Sequence, residues 1–174
     1  ELNCDLFHGG LTPTVGSLIA AKRESDIPIM AMIRPREGGF CYTGTEFAAA
    51  VEDAKLLLSH GADGLVFGFL HADGTLDETR TRILAELARQ VGRDAVFHRA
   101  VDVVPDWRAA LDALVELGVT RVLTSGQEPN VPQGARTIRE MVEYAAGRIE
   151  ILPGGGINAR NLDWVVEQTG CGQV

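Results

Sequence analysis

Polar and charged side chains collect where short apolar runs end. "MIRPREGGFCY" (32–42) leaves its run through Arg34 and Arg36, and "FHRA" (97–100) leaves through His98 and Arg99. "LTSG" (123–126) offers Thr124 and Ser125, and "ILPGGGIN" (151–158) offers Gly154, Gly155 and Gly156. Arginine grips anions through charge-assisted hydrogen bonds. Histidine at such a position transfers protons or ligates a metal. Consecutive glycines let backbone N–H groups face an anion ahead of a helix N-terminus. Arg34, Arg36, Arg99, Thr124, Ser125 and Gly154–Gly156 are therefore the expected anion-binding residues.

Strand parity narrows the set. Side chains alternate along a strand, so Met30, Met32 and Arg34 share one face, as do Val96 and His98, and Glu1 and Asn3. If these faces point inward, Glu1, Arg34 and His98 meet at one mouth, and Glu1 pairs with Arg34. Asp102 is close enough in sequence to orient Arg99 or His98. The candidates for catalysis are Glu1, Arg34, His98 and Asp102. The competing reading of Arg34 is a structural plug that satisfies buried carbonyls. No serine or cysteine is spaced to form a triad with His98.

Cys4, Cys41 and Cys171 form no CxxC pair and no zinc spacing. Thiolates suit Cu(I), and Cys4 and Cys41 follow successive runs, so they are the candidate metal ligands. Single reduced thiols are the competing reading.

These residues need elements to hold them. Apolar runs occur at Glu1–Cys4, Pro28–Ile33, Gly64–Phe67, Ala95–His98, Arg121–Leu123 and Ile149–Leu152. Most are continuous rather than alternating, as strands covered on both faces are. Helical patterns separate them: Thr14–Arg23, a capping box at Thr43–Glu46 opening a helix that ends near Gly61, Thr75–Val91, Trp107–Leu117 behind Asp106, Thr137–Ala146, and Asn158–Gln168 with Asn158 as cap. Strict alternation predicts a parallel α/β sheet, either doubly wound or a (β/α)8 barrel. No G-x-G-x-x-G follows the first run, so no nucleotide cofactor is indicated.

The 174 residues suit one domain, 1–174, and 45% of them are hydrophobic. A net charge of −8 argues against nucleic acid or an anionic membrane as partner. The apolar runs are strand-sized, so none spans a membrane. No secretory pattern is visible, and the expected location is cytoplasmic. The chain opens on Glu1 rather than methionine, as a fragment does.

Taken together, "GGLTPT" (9–14), "MIRPR" (32–36), "FCY" (40–42), "DGLVFG" (63–68), "FHRA" (97–100), "RVLTSG" (121–126) and "PGGGI" (153–157) closely resemble the CutC family of copper homeostasis proteins. The resemblance runs in family order along nearly the whole chain. It implies a TIM-like barrel, a cytoplasmic location and a role in copper binding or tolerance, with Cu(I) as cofactor or cargo. It also implies an incomplete barrel: six parallel strands standing for the second to seventh of eight, with a further His-Cys beyond the segment matching Asn161–Gln168. Family members with the proposed copper cysteine read Glu-Leu-Cys where this chain reads Glu1-Leu2-Asn3. Asn3 thus takes the thiol's place, and Cys4 lies one residue later, on the opposite face.

Three functions stay open: a copper homeostasis barrel working through thiols, an enzyme of small anionic metabolites (aldolase, isomerase or hydrolase), and a scaffold without chemistry. The expected partners are copper or a small anion, and a homo-oligomer is compatible with the full-length protein.

Overall fold

A computed structural model describes all 174 residues. Five strands carry it: β1 (Met30–Met32), β2 (Gly64–Phe67), β3 (Asp94–Phe97), β4 (Arg121–Thr124) and β5 (Glu150–Pro153). They pair in parallel in chain order, β1-β2-β3-β4-β5. The helices between them are α1 (Val15–Glu24), α2 (Gly44–Ser59), α3 (Glu78–Gln90), α4 (Trp107–Glu116), α5 (Val131–Ala145) and α6 (Leu162–Thr169). Each crossover advances one strand in the same direction. A doubly wound sheet would reverse at a switch point, so this order is an arc of a TIM-like (β/α)8 barrel. No helix is long and apolar enough to cross a membrane.

The first expected strand is shorter than its sequence suggests. Glu1–Cys4 lies beside β1 through one parallel bridge, Leu2 with Ala31. Leu2 N donates to Met30 O at 2.7 Å, and Met32 N donates to Leu2 O at 3.0 Å. The ladder stops because Asp5 adopts a left-handed backbone, φ 50°, and the chain turns through a 3-10 segment, Leu6–His8. Cys4 then pairs antiparallel with Leu11 instead.

Capping chemistry sets the helix starts. The Thr43–Glu46 capping box is formed as expected and opens α2, an arrangement worth roughly 1 kcal/mol. Asp106 caps α4. Three starts differ from the sequence reading. α3 begins at Glu78 because Asp77, not Thr75, supplies the cap, while Thr75 is tied to Asp73 in a turn. α5 begins at Val131, where Asn130 caps and Pro132 stands in the first turn. α6 begins at Leu162, since Asn161 Oδ1 holds the Asn158 N–H and keeps 158–161 in a turn.

The strands are covered on both faces, as parallel strands are. Ala31, Ile33, Leu65, Phe67, Ala95, Phe97, Val122 and Ile151 pack outward in the main core beneath the helices. Met32, Val66 and Val96 form a second, inner cluster with Met30 and Leu123. The inner parity runs on to Arg34 and His98, which therefore leave the strands facing the barrel axis.

Gly134 presses α5 against the exit of β4. A Cβ there would overlap the Ser125 carbonyl oxygen and lie 2.9 Å from Gly126 Cα. Alanine in a helix is favoured over glycine by about 1 kcal/mol, but overpacking costs about 1–3 kcal/mol. Gly134→Ala is expected to lower the midpoint of urea unfolding. An unchanged or higher midpoint would show that this contact does not hold the helix in place.

Candidate functional site

A cavity of about 390 Å³ opens at the C-terminal ends of the strands. Glu1, Asn3, Met32, Arg34, His98, Arg99, Asp102 and Leu123 are among its lining residues. All four candidates for catalysis thus reach one hollow, and the inward parity of Glu1, Asn3, Met32 and Arg34 is as expected.

Arg34 is 8% exposed. Its Nη1 donates to His8 O at 3.0 Å and Gly10 O at 3.1 Å, and its Nη2 donates to Gly38 O at 3.2 Å. Its Nε has no hydrogen-bond partner. The expected pairing with Glu1 is not formed. Glu1 Oε1 instead accepts from Asn3 Nδ2 at 2.9 Å, because the Gly9–Gly10 turn brings its carbonyls to the guanidinium first. The plug reading is correct about the carbonyls, yet the charge itself lacks a counter-ion. A buried cation solvated only by carbonyls is costly unless an anion completes it.

His98 is 4% exposed. Its Nδ1 accepts from Ala100 N at 3.1 Å, which caps the 3-10 turn Arg99–Val103. The ring proton of the neutral imidazole must then sit on Nε2. That atom is buried and finds no acceptor in the protein. Burial, seconded by the positive charge of Arg34, pulls the imidazole pKa down to about 3. His98 is therefore a neutral hydrogen-bond donor at physiological pH.

Phe40 closes over both donors, 4.9 Å from the His98 ring and 5.5 Å from Arg34 Cζ by ring centroid. Gly68 makes room for the ring. Registers Met32 with Val66 and Val66 with Val96 put Arg34, Gly68 and His98 in one layer. A Cβ on Gly68 would lie 2.5 Å from His98 Nδ1 and 2.8 Å from Ala100 Cβ. Gly68 and Phe40 are the site residues that the sequence reading did not single out. The signal for Gly68 was there: it is two residues beyond Val66, at the layer where the neighbouring strands put Arg34 and His98.

Asp102 serves as a hub rather than a free base. It accepts from Arg99 Nε at 2.9 Å, Ser125 N at 3.0 Å, Ser125 Oγ at 2.9 Å, Gln127 N at 3.2 Å and Thr124 Oγ1 at 2.5 Å. Arg99 Nη2 also reaches Ser125 Oγ. Thr124 and Ser125 thus stand behind the rim, tied to Asp102, instead of facing the cavity. Of the three glycines only Gly155 lies against Arg99, where a Cβ would meet Nη1 at 3.1 Å, while Gly154 packs on Leu123 and Gly156 on Asn130. Arg36 is turned away. It donates to Glu46 Oε1 at 2.6 Å and to the carbonyls of Glu37, Gly39 and Cys41, and lines an adjacent cleft with Cys41 and His71. The Glu46 pairing holds that carboxyl down at about 2.

The thiols do not assemble a metal cage. Cys4 donates to Thr12 O at 3.1 Å, Cys41 lies in the adjacent cleft, and Cys171 is buried. No group of three or more His, Cys, Asp or Glu side chains is arranged to hold a metal ion. Asn3, standing where the resemblance implies a cysteine, lines the mouth, while Cys4 leaves the opposite way, as the one-residue step predicts. The residues present do not fit a resident thiolate-bound copper.

Consecutive parallel strands with a polar cavity at their C-terminal ends define a TIM-barrel-like protein. The CutC family model matches residues 1–174, and the chain belongs to the CutC family. A family protein CutC of Treponema denticola is 55% identical over 174 residues, covering 100% of this chain and 70% of that one. The human copper homeostasis protein cutC homolog is 43% identical over 170 residues, covering 98% and 62%. The chain thus spans about two thirds of these relatives' length. The crystal structure of a copper homeostasis protein CutC from Streptococcus agalactiae superposes with a TM-score of 0.93 at 35% identity, covering 99% of this chain and 84% of that one.

His98 gives a pH signature. Its folded pKa lies far below the ordinary 6.5, so on acidification the unfolded chain takes up a proton that the folded chain refuses. Stability must fall as pH drops from about 6.5 toward 5, above the range of the carboxylates. Exposed His8, raised by Asp5, works weakly in the opposite direction. Thermal melts of His98→Asn, which keeps an acceptor for Ala100 N, should start lower at pH 7.5 but show a flatter slope across this window. An identical slope would mean that His98 titrates normally.

Proposed function

We propose that this chain acts in the copper homeostasis role for which its relatives are named, as a cytoplasmic barrel that binds a small anionic metabolite at its mouth. One observation carries the reading. Arg34 is a buried cation without a carboxylate, and it shares a cavity with His98, whose Nε2–H lacks an acceptor. A ligand oxygen bearing negative charge would supply what both groups lack. Glu1 and the Arg99–Asp102 pair border the same space and would orient the bound molecule. Ser125 and Gly155, with Thr124 through Asp102, would brace Arg99 from behind.

Differential scanning fluorimetry and isothermal titration with acetate, pyruvate and inorganic phosphate, at matched ionic strength, test this. At least one anion should raise the melting temperature by mass action. Arg34→Gln should weaken that binding by about tenfold or more, the worth of a charge-assisted hydrogen bond. Equal anion binding by wild type and Arg34→Gln, or none by either, would defeat the proposal.

Copper enters the reading by a different route from Cys4 and Cys41. In a Cu(I) titration against a competing chelator, Cys4→Ser and Cys41→Ser should each keep wild-type affinity. A loss of about tenfold or more in either variant would return copper to that thiol.

A further inference from the structure

One cavity is lined by hydrogen-bond donors, Arg34 and His98, and by carboxylates, and this combination suggests a reaction. Glu1 and Asp102 are its two carboxylates. Asp102 is saturated by five donors. Glu1 spends one oxygen on Asn3 Nδ2 at 2.9 Å and makes no salt bridge with Arg34 or Arg99, whose own carboxylate contact is Asp102. Asn3 in turn packs against the Gly10 turn, where an added Cβ would lie 3.1 Å from Asn3 Cγ. Glu1 is therefore the carboxylate of the mouth with an oxygen free to take a proton, and Asn3 holds it. Arg34 and His98 line the same cavity, and the His98 Nε2–H is buried there without an acceptor. Phe40, Met32 and Leu123 add apolar surface to the lining, which strengthens electrostatic contacts made there.

Building on the anion-binding reading above, we propose that the mouth enolises a small 2-oxo acid, with Arg34 holding the carboxylate, His98 Nε2–H donating to the keto oxygen, and Glu1 removing a proton from the adjacent carbon. The C3–H bond breaks and its proton passes to the free Glu1 oxygen. The bonding pair becomes the C2–C3 double bond, and the keto oxygen takes on negative charge, which His98 and Arg34 stabilise. Return of the proton from Glu1 restores the 2-oxo acid, so the step needs no oxidant, metal or second substrate. A neutral imidazole suits this work, because it donates a hydrogen bond without surrendering its proton; the depression of its pKa to about 3 keeps it in that form. Asn3 is a positioning residue that acts through Glu1.

Exchange of the pyruvate methyl protons in D2O, followed by proton NMR, tests the step. Wild type should speed exchange well above buffer. Acetone, which keeps the carbonyl and the methyl hydrogens but lacks the carboxylate, should not respond. Glu1→Gln should cut the rate at saturating pyruvate about a hundredfold or more, the range of a general base. Asn3→Ala should slow exchange, and Asn3→Asp should not restore it, because an acid cannot donate to Glu1 when ionised. Pyruvate binding without exchange would overturn enolisation and leave the anion site standing. Absence of both would overturn the two readings together. Exchange that survives Glu1→Gln would remove Glu1 as the base.

Discussion

The mouth depends on one interaction: a guanidinium buried at the end of β1 and held by backbone carbonyls alone. His8 O, Gly10 O and Gly38 O fix Arg34 from two different loops. The loops are thereby shaped around the charge. Gly9 and Gly10 both take positive φ, a conformation that favours glycine, in the turn that presents the His8 and Gly10 carbonyls to Arg34. The bonds orient Arg34 but do not neutralise it. The charge is held in place with no carboxylate partner, which is the basis of the anion-binding proposal.

Everything else at the mouth follows from inner-face parity. The registers between β1, β2 and β3 set Arg34, Gly68 and His98 side by side. A side chain at the middle position would displace the imidazole, so the absence of one at Gly68 is what permits His98 to be buried beside Arg34. That burial, with the arginine's field, removes the proton that would make His98 cationic. Burial first, and the neighbouring positive charge second, thus set the protonation state of His98. Asp102 performs the complementary task at the rim, tying Arg99, Thr124 and Ser125 into a single polar frame.

Much of this was legible in the sequence, and the failures share a cause. Alternating apolar runs and caps gave the parallel α/β order, and period-two parity correctly put Glu1, Asn3, Arg34 and His98 at one mouth. Parity also separated Asn3 from Cys4. The sequence did not disclose who pairs with whom. Glu1 with Arg34 is the simplest pairing of opposite charges, but backbone carbonyls compete for arginine and are invisible in side-chain types. Arg36 looked equivalent to Arg34 until Glu46, the third residue of a helix, claimed it. Asn158 and Asn161 are both good caps three residues apart, and the choice between them rests on a turn that composition does not encode. The role of Gly68 rests on sheet register, which no single strand reveals.

The CutC relatives carry copper in their names, while this mouth is lined by Arg34, His98, Arg99 and the carboxylates of Glu1 and Asp102, with no thiol among them. The two are compatible if a metabolite, not a cysteine cage, links the barrel to copper. The central claim is that His98 is a neutral Nε2–H donor awaiting an acceptor. Nitrogen-15 NMR of histidine-labelled protein measures this directly. The account predicts a His98 ring with Nδ1 unprotonated and Nε2 protonated from about pH 5 to about pH 8, whose Nε2–H resonance moves when pyruvate is added. A ring that titrates near its ordinary 6.5, or one whose Nε2–H ignores the anion, would contradict it.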